Sequence, residues 1–330
     1  MAVRKKRKTA SWKTAGWGLV LAALASLGIG GFGISGCDSS QMEGLARGLI
    51  NPSNATTPTT NTAAQAGEKI RIASFNIQVF GTSKLAKPDA MQVLGQVIRQ
   101  FDVVAIQEIR ATDQTEMDQF LQWINTDGAA YSYVIGPRLG RTSSKEQYAF
   151  LYNTATIEVQ PNSVYTAADP YDLLHREPLV ASFRVRGNTA SQPFSFTLIN
   201  IHTDPDETDQ ELDALDDVYL SVRQAGTEDD VILLGDLNVD ERHLGQMGQI
   251  PGITYTIAGQ PTNTRGTKTY DNLLFHGPST TEYTGSSGVL NLMSVYNLTM
   301  EQVLQISDHL PVWSEFSATE STPGTVAARP

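Results

Sequence analysis

The chain has 330 residues, of which 40% are hydrophobic and 18% are charged, so it can bury a sizeable core and is not a wholly disordered or fibrous chain. The net charge of −11 argues against a general basic surface for nucleic acids, but it leaves room for a metal site made of carboxylates. The single cysteine excludes an intramolecular disulfide and a zinc cluster of cysteines.

The N-terminal segment is predicted to direct export. The first 36 residues carry six of the 24 basic residues and no acid, so the rest of the chain holds 18 basic against 35 acidic residues. A basic stretch over residues 1–13 precedes an apolar, Gly/Ala-rich run over residues 15–36, the order found in export signals. The run ends in Ile34-Ser35-Gly36-Cys37, which resembles a bacterial lipobox. It predicts cleavage before Cys37, lipidation of Cys37, and anchoring to a bacterial membrane or cell envelope.

Two other interpretations of this segment stay open. The apolar run is nearly long enough for an uncleaved transmembrane anchor. It is also compatible with an ordinary signal peptide of a secreted protein. All three interpretations place the remainder of the chain outside the cytoplasm.

The domain organisation follows from composition. We predict a signal peptide over residues 1–36, a flexible tether rich in Ser, Thr, Asn, Ala and Pro over residues 37–67, a folded catalytic domain over residues 68–318, and a disordered tail over residues 319–330. The folded segment alternates short apolar runs with amphipathic stretches. Predicted strands are Ile70–Val79, Val103–Gln107, Tyr148–Tyr152, Ser195–Ile201, Val231–Leu234, Asn272–Phe275 and Pro311–Phe316. Predicted helices are Pro88–Gln100, Asp113–Asn125 and Asp209–Arg223. This mixture predicts an α/β fold of packed sheets flanked by helices.

Polar or titratable residues recur where the predicted strands begin or end. If these ends meet, they form a cleft of carboxylates, amides and imidazoles. Such a cleft can hold a divalent cation through oxygen ligands, and its imidazoles can transfer protons near neutral pH. The residues are Asn76, Glu108, His202, Asp236, Asn238, Asp271, Asp308 and His309.

Eight motifs together resemble one known family. In chain order they read SFNIQ, AIQEIR, LGRTSSKEQYAFLY, HREPLV, INIHTD, LLGDLNVD, TYDNLLF and ISDHLPVW. They are similar to the deoxyribonuclease I branch of the endonuclease/exonuclease/phosphatase superfamily, from about Ile70 to Phe316. The resemblance implies two packed mixed β-sheets flanked by helices in a four-layer sandwich. It also implies a monomeric, metal-dependent endonuclease that cuts DNA to 5′-phosphorylated products.

The resemblance assigns the proton-transfer residues. His202 would be the general base, oriented by Glu146, and His309 would be the general acid, oriented by Asp271. A carboxylate behind each imidazole would fix its tautomer and raise its basicity. The other three histidines are interpreted as surface or core residues without a catalytic role; they are His175, His243 and His276.

The resemblance also assigns the ligands. Glu108 would be the main ligand of Mg²⁺ or Mn²⁺, with help from Asn76 and Asp308. Asp236 and Asn238 would hold the phosphate, a water or a second cation, although Asp and Asn also favour tight turns for their own reasons.

Substrate contacts and a second metal complete the assignment. Arg176 would bind a substrate phosphate together with Asn238, with an exposed ion pair to Glu177 as the alternative. Arg110 and Arg141 would contact DNA, or would simply be solvated charges. A structural Ca²⁺ site at Asp172 and Glu177 is a further carry-over from the family.

The chain departs from the family at three places. Ser144 stands where the family has a tyrosine against the deoxyribose, and Gln78 stands where a basic residue is common. Residues 259–264 lack the acid of a family calcium loop. The first two departures weaken the grip on duplex DNA, which stays the favoured substrate, with single strands or RNA as alternatives. Two other functions stay open: a phosphodiesterase or phosphatase for lipid or inositol phosphates, and a non-catalytic surface binding protein.

Overall fold

The computed structural model describes residues 68–187, 192–226 and 228–320. The predicted signal peptide, Cys37, the tether and residues 321–330 of the predicted tail lie outside the described residues. Within those three ranges, no helix is long and apolar enough to cross a membrane. Thr319 pairs with Pro193, and Glu320 accepts a hydrogen bond from the Ser195 amide, so ordered pairing continues two residues beyond position 318.

Thirteen strands and six α-helices occur in the described residues. The strands are β1 Lys69–Phe80, β2 Val103–Ile109, β3 Tyr131–Ile135, β4 Gln147–Asn153, β5 Ile157–Val159, β6 Tyr165–Thr166, β7 Leu179–Val185, β8 Ser195–His202, β9 Val231–Asp236, β10 Ile253–Tyr255, β11 Asp271–His276, β12 Tyr283–Val289 and β13 Val312–Ser317. The helices are α1 Thr82–Leu85, α2 Pro88–Ile98, α3 Thr115–Ile124, α4 Thr208–Ala225, α5 Leu292–Tyr296 and α6 Met300–Ile306.

The strands form two mixed sheets. The first has the order β12-β13-β1-β2-β4-β3, and the second has the order β10-β11-β9-β8-β7-β5 with β6 paired to β7. The pairs β1–β2 and β8–β9 are parallel, whereas the other pairs are antiparallel. The carboxyl ends of a parallel pair meet at one edge of the sheet, so each sheet brings two strand ends together there.

Alternation along the strands builds the layers. In β2, Val103 and Ala105 face the core between the two sheets, whereas Val104 and Ile106 face the helices. The outer face of the first sheet is covered by apolar residues of α2, α3 and α6. The outer face of the second sheet is covered by α4 through Leu212 and Leu215. The result is the predicted four-layer sandwich, and the predicted fold class is confirmed.

All seven predicted strands and all three predicted helices are present, with ends displaced by two residues or fewer. Five short or edge strands, the interior strand β7 and three short helices had no prediction. The strand β12, with the sequence YTGSSGV, has no apolar alternation because it lies at a sheet edge and stays partly exposed. Strand β7 alternates only in its second half, where Phe183 and Val185 are buried and Arg184 is exposed, whereas its first three residues are all buried.

Gly235 is required where β9 runs beside β8. A Cβ atom at this position would lie 1.8 Å from the carbonyl oxygen of Ile201, and the backbone has φ +156°. No side chain fits there without separating the two strands. We expect Gly235→Ala to cost about 3 kcal/mol or more of unfolding free energy, or to prevent folding. Thermal unfolding measures the loss.

Gly285→Ala is the matched control. Gly285 also has a positive φ, +84°, but nothing lies within 4 Å of a Cβ there. Its cost is limited to backbone strain, about 1 kcal/mol. Equal melting temperatures of the two variants would contradict the steric explanation.

Candidate active site

The predicted polar residues lie at one edge of the sandwich because of the strand directions. Asn76 and Glu108 lie near the carboxyl ends of β1 and β2, while His202 and Asp236 end β8 and β9. Antiparallel strands begin where their neighbours end. Asp271 therefore starts β11 directly opposite Asp236. His309 precedes β13, which runs antiparallel to β1, and so reaches the same edge.

Asp236 is the meeting point of the two histidines. Its Oδ2 lies 3.5 Å from Nε2 of His202 and 3.4 Å from Nε2 of His309. The same oxygen accepts a hydrogen bond from Asn76 Nδ2 at 2.9 Å, and Oδ1 accepts one from the Asn238 amide at 3.1 Å. The carboxylate is 1% exposed. The Nε2 atoms of both imidazoles thus face the same carboxylate oxygen.

Each imidazole has a second carboxylate behind it. Nδ1 of His202 lies 2.9 Å from Oε1 of Glu146, and Nδ1 of His309 lies 2.9 Å from Oδ2 of Asp271. Each Nδ1–H donates to its carboxylate, which leaves Nε2 facing the cleft. The structure therefore brings His202 together with Glu146, and His309 together with Asp271.

The carboxylates control the protonation of both histidines. Burial alone would lower the pKa of His202, but the charges of Asp236 and Glu146 outweigh burial and raise it. Burial also opposes protonation of His309, yet Asp271 and Asp236 raise its pKa well above the ordinary value. His309 is therefore the more fully protonated of the pair near neutral pH.

Glu146 is held in its ionised form by two arginines. Burial alone would raise its pKa, but His202, Arg176 and Arg110 together lower it. Arg176 Nε lies 2.6 Å from Glu146 Oε1, and its Nη2 donates to the carbonyl of His202 at 2.9 Å. Arg176 is 6% exposed, so it is not the exposed partner of Glu177 that was the alternative. It joins Glu146 to the backbone of the histidine that Glu146 orients.

Glu108 is presented by an unusual backbone. Its φ is +61°, a left-handed conformation that turns the side chain at the end of β2 into the cleft. Glu108 Oε1 accepts from Asn76 Nδ2 at 3.1 Å, and Oε2 accepts from the Val79 amide at 2.9 Å and lies 3.3 Å from Arg110 Nη2. Asn76 Nδ2 thereby links Glu108 to Asp236.

These residues fit a hard divalent cation. Oδ1 of Asp308 is buried and has no hydrogen-bond partner among the described residues. The side chain of Glu108 is 13% exposed, so one face of the carboxylate is open to solvent. Mg²⁺ requires only one or two carboxylates because it keeps several of its waters. Asp236 is more deeply buried than Glu108 and lies between the two imidazoles, so Glu108 and Asp308 are the better placed ligands.

The predicted substrate residues have protein partners in this structure. Arg110 Nη1 donates to Ser144 Oγ at 2.6 Å. Arg141 forms ion pairs with Asp172 at 3.3 Å and with Glu207 at 2.7 Å. Asn238 Nδ2 donates to the carbonyl of Thr203.

The three histidines without a predicted catalytic role, and Gln78, have partners within the protein. His243 and His276 bond to Asp240 and Ser279. Nδ1 of His175 is buried between Asp204 and Glu207, at 3.5 and 3.7 Å. The Gln78 amide donates to Asn76 Oδ1.

The loop over residues 259–264, which lacks the family's acid, supports His309 instead. Thr262 Oγ1 donates to Asp271 Oδ2 at 2.7 Å, and Thr264 Oγ1 donates to the carbonyl of Ser307 at 2.8 Å. Asn263 forms an isolated β-bridge with His309. The loop thereby fixes both His309 and the carboxylate behind it.

Lys84 was not predicted. Its side chain is buried, and its ammonium donates to the carbonyls of Ile77, Gln78 and Ile306. It therefore ties the end of β1 to the turn before Asp308 and His309. Burial lowers the pKa of Lys84 to about 8, although Glu108 and Asp308 partly offset this effect. A single lysine after a strand gives no sequence signal of burial.

Comparison with known proteins agrees with this geometry. Residues 73–309 match the model of the Endonuclease/Exonuclease/phosphatase family. The chain belongs to this family. It is 33% identical over 262 residues to Deoxyribonuclease-1-like 1 of Cricetulus griseus, covering 76% of this chain and 84% of the relative. It is 30% identical over 263 residues to Deoxyribonuclease-1 of Bos taurus, covering 75% of this chain and 92% of the relative. These relatives place it in the deoxyribonuclease I-like branch.

Solved structures agree on the fold. An endonuclease/exonuclease/phosphatase from Bacteroides vulgatus superposes with a TM-score of 0.54 at 13% identity, covering 76% of this chain and 99% of that one. A humanized D. rerio TDP2 superposes with a TM-score of 0.52 at 16% identity, covering 76% and 99%. The family model and the deoxyribonuclease relatives together make the chain a hydrolase that acts on phosphodiester bonds, and the relatives support a nuclease of this superfamily.

The role of Lys84 can be tested by removing its charge. Lys84→Met would leave three buried carbonyls without a donor, at about 1 kcal/mol or more each. We expect the melting temperature to fall by about 5–10 °C and the activity to fall with it, because both ends that Lys84 joins carry site residues.

Lys87→Met is the control, since the Lys87 ammonium donates to the exposed side chain of Gln305 at 2.8 Å. It should change the unfolding free energy by about 0.5 kcal/mol or less. A Lys84→Met protein as stable as this control would show that the three carbonyls do not depend on the ammonium.

Proposed function

We propose that the protein is an exported, metal-dependent endonuclease that hydrolyses DNA phosphodiester bonds and leaves 5′-phosphorylated products. The observation that carries the proposal is the pair of imidazoles that face one buried oxygen of Asp236, each with a carboxylate behind it. Hydrolysis of a phosphodiester needs one group that takes a proton from water and one that gives a proton to the leaving oxygen. The names of the deoxyribonuclease relatives support DNA as the substrate.

His202 is assigned as the general base. Its Nε2 accepts the proton of the attacking water, and the ionised Glu146 stabilises the imidazolium that forms. Arg176 and Arg110 keep Glu146 ionised, so that Glu146 does not take the proton itself. The Nδ1–H bond to Glu146 holds Nε2 in the accepting orientation throughout.

His309 is assigned as the general acid. Its raised pKa keeps Nε2 protonated near neutral pH, so that it can donate to the oxygen that leaves. Asp236 lies between the two histidines and stabilises whichever of them carries the proton. Both proton transfers therefore occur around one carboxylate.

Glu108 and Asp308 are assigned as the residues that would hold Mg²⁺ or Mn²⁺, with Asn76 fixing the position of Glu108. The cation, when bound, neutralises negative charge on the phosphoryl oxygens. Asn238 and Arg176 are assigned to the phosphate side of the cleft, and Arg110 and Arg141 are assigned to the DNA backbone. We also propose that export follows the N-terminal segment and that lipidated Cys37 anchors the enzyme.

Plasmid nicking tests the proposal. The full-length chain in detergent should convert supercoiled plasmid to nicked circles with Mg²⁺ plus Ca²⁺, and EDTA should abolish this activity. His202→Ala and His309→Ala should each lower the rate by about 10²–10⁴-fold, because each removes one proton-transfer group.

His276→Ala is the matched control, because His276 lies at the opposite end of β11 from Asp271. It should nick at the wild-type rate. Folded His202→Ala protein that nicks as fast as this control would refute the mechanism. A wild-type protein that leaves plasmid, single-stranded DNA and RNA intact, yet cleaves lipid or inositol phosphodiesters, would refute DNA as the substrate.

The assignment of Arg141 predicts an effect on DNA binding alone. Arg141→Gln should lower kcat/KM on duplex DNA and should reduce the steepness of its salt dependence by about one phosphate contact. Turnover of a small phosphodiester such as bis-p-nitrophenyl phosphate should not change.

Arg242→Gln is the control for this experiment, since Arg242 is an exposed arginine paired with Asp240 at 3.2 Å. Equal salt slopes for the two variants and the wild type would remove Arg141 from the DNA interface. Loss of turnover on the small substrate would instead place Arg141 in the support of the cleft.

A further inference from the structure

A second group of carboxylates lies at the opposite end of the sandwich. Asp230 directly precedes β9, Glu282 directly precedes β12, and Glu320 follows β13. One carboxylate oxygen of each lies within 4.8 Å of the other two. Because β9 has six residues, about 20 Å separate this group from Asp236 at the far end of the same strand. The group is therefore independent of the catalytic cleft and of the function proposed for it.

Asp230 is buried with one carboxylate oxygen left without a partner among the described residues. The residue is 4% exposed, and its Oδ1 has no hydrogen-bond partner among the described residues. The hydroxyl of Thr280, which is 1% exposed, lies beside the Asp230 carboxylate, and its Oγ1 is also buried without a partner of good geometry. Two unsatisfied oxygens next to each other are costly unless something binds them.

The surroundings of Asp230 add negative charge. Burial, together with the charges of Glu282 and Glu228, raises the pKa of Asp230 to about 8, although the Thr280 hydroxyl opposes this shift. Burial and the same acidic neighbours raise the pKa of Glu320 to about 7. In the described part of the chain, neither Asp230 nor Glu320 forms an ion pair with a lysine or arginine. This environment favours a bound positive charge.

We propose that Asp230, Glu282 and Glu320, with the hydroxyl of Thr280, form a structural Ca²⁺ site. The donors are all oxygens, and three carboxylates that can each bind through one or two oxygens suit the six to eight ligands of Ca²⁺. Mg²⁺ is a poorer match because it demands near-octahedral geometry and retains its waters.

The site would join the two sheets. Asp230 belongs to the edge of the second sheet, and its carbonyl accepts from the Thr197 amide at 2.9 Å. Glu282 and Glu320 flank strands of the first sheet, and Glu320 Oε1 accepts from the Ser195 amide at 2.8 Å. Bound Ca²⁺ would hold the end of β13 against the starts of β8 and β9 and would stabilise the folded state.

Thermal unfolding with added CaCl₂ tests the site. In the full-length wild type, Ca²⁺ at about 100 times its Kd should raise the melting temperature by about 5–10 °C over the value in EDTA. Asp230→Asn and Glu320→Gln should lose at least half of this increase. In EDTA, both variants should melt no lower than the wild type, because an uncharged amide removes the cost of ionising an acid that is buried among other acids. Glutamine at position 320 can still accept from Ser195, so Glu320→Gln remains informative if Asp230→Asn does not fold.

Two controls separate this site from other Ca²⁺ effects. Asp217→Asn removes an exposed charge of α4 and should respond to Ca²⁺ like the wild type. Glu108→Gln alters the catalytic cleft and should also keep most of the increase. Isothermal titration should find one Ca²⁺ fewer in Asp230→Asn than in Asp217→Asn. An equal response in all proteins, or no response in the wild type, would show that protons rather than Ca²⁺ neutralise the group.

Discussion

The buried carboxylate of Asp236 is the constraint on which the rest of the structure depends. A carboxylate that is 1% exposed is stable as an anion only when hydrogen bonds and positive charge surround it. Asn76, the Asn238 amide and the two imidazoles provide them, and burial is thereby outweighed so that the pKa of Asp236 is lowered. These partners come from different strands and turns. The strands must therefore end at one edge with little freedom of register.

The two histidine–carboxylate pairs have the same geometry but different electrostatics. Burial opposes ionisation of Glu146, but His202, Arg176 and Arg110 lower its pKa, so this carboxylate stays ionised. Asp271 receives the hydroxyl of Thr262, its Oδ1 is buried without a partner among the described residues, and burial raises its pKa. His309 lies between Asp271 and Asp236, and the charges of both carboxylates raise its pKa well above the ordinary value. This difference between the two pairs is consistent with His202 as the general base and His309 as the general acid.

The sequence predicted what periodicity and motifs encode. Buried strands ending in Asn76, Glu108, His202 and Asp236 are visible as apolar runs followed by ligating residues, so the cleft could be predicted from the residues. The contacts that hold these cleft residues in place could not be predicted from the sequence. The three carbonyl partners of Lys84, the bond of Arg176 to Glu146 and the left-handed backbone of Glu108 depend on contacts between distant segments, which no local pattern records.

The two ends of β9 show how the same side chain depends on its partners. Asp236 meets imidazoles and amides, whereas Asp230 meets further carboxylates. Apart from its first 36 residues the chain has 18 basic against 35 acidic residues, so it has few cations of its own to place beside a buried acid. An acid buried among acids must keep its proton or bind a cation. Since a proton satisfies only one oxygen and three carboxylates converge at Asp230, a divalent cation is the more complete solution.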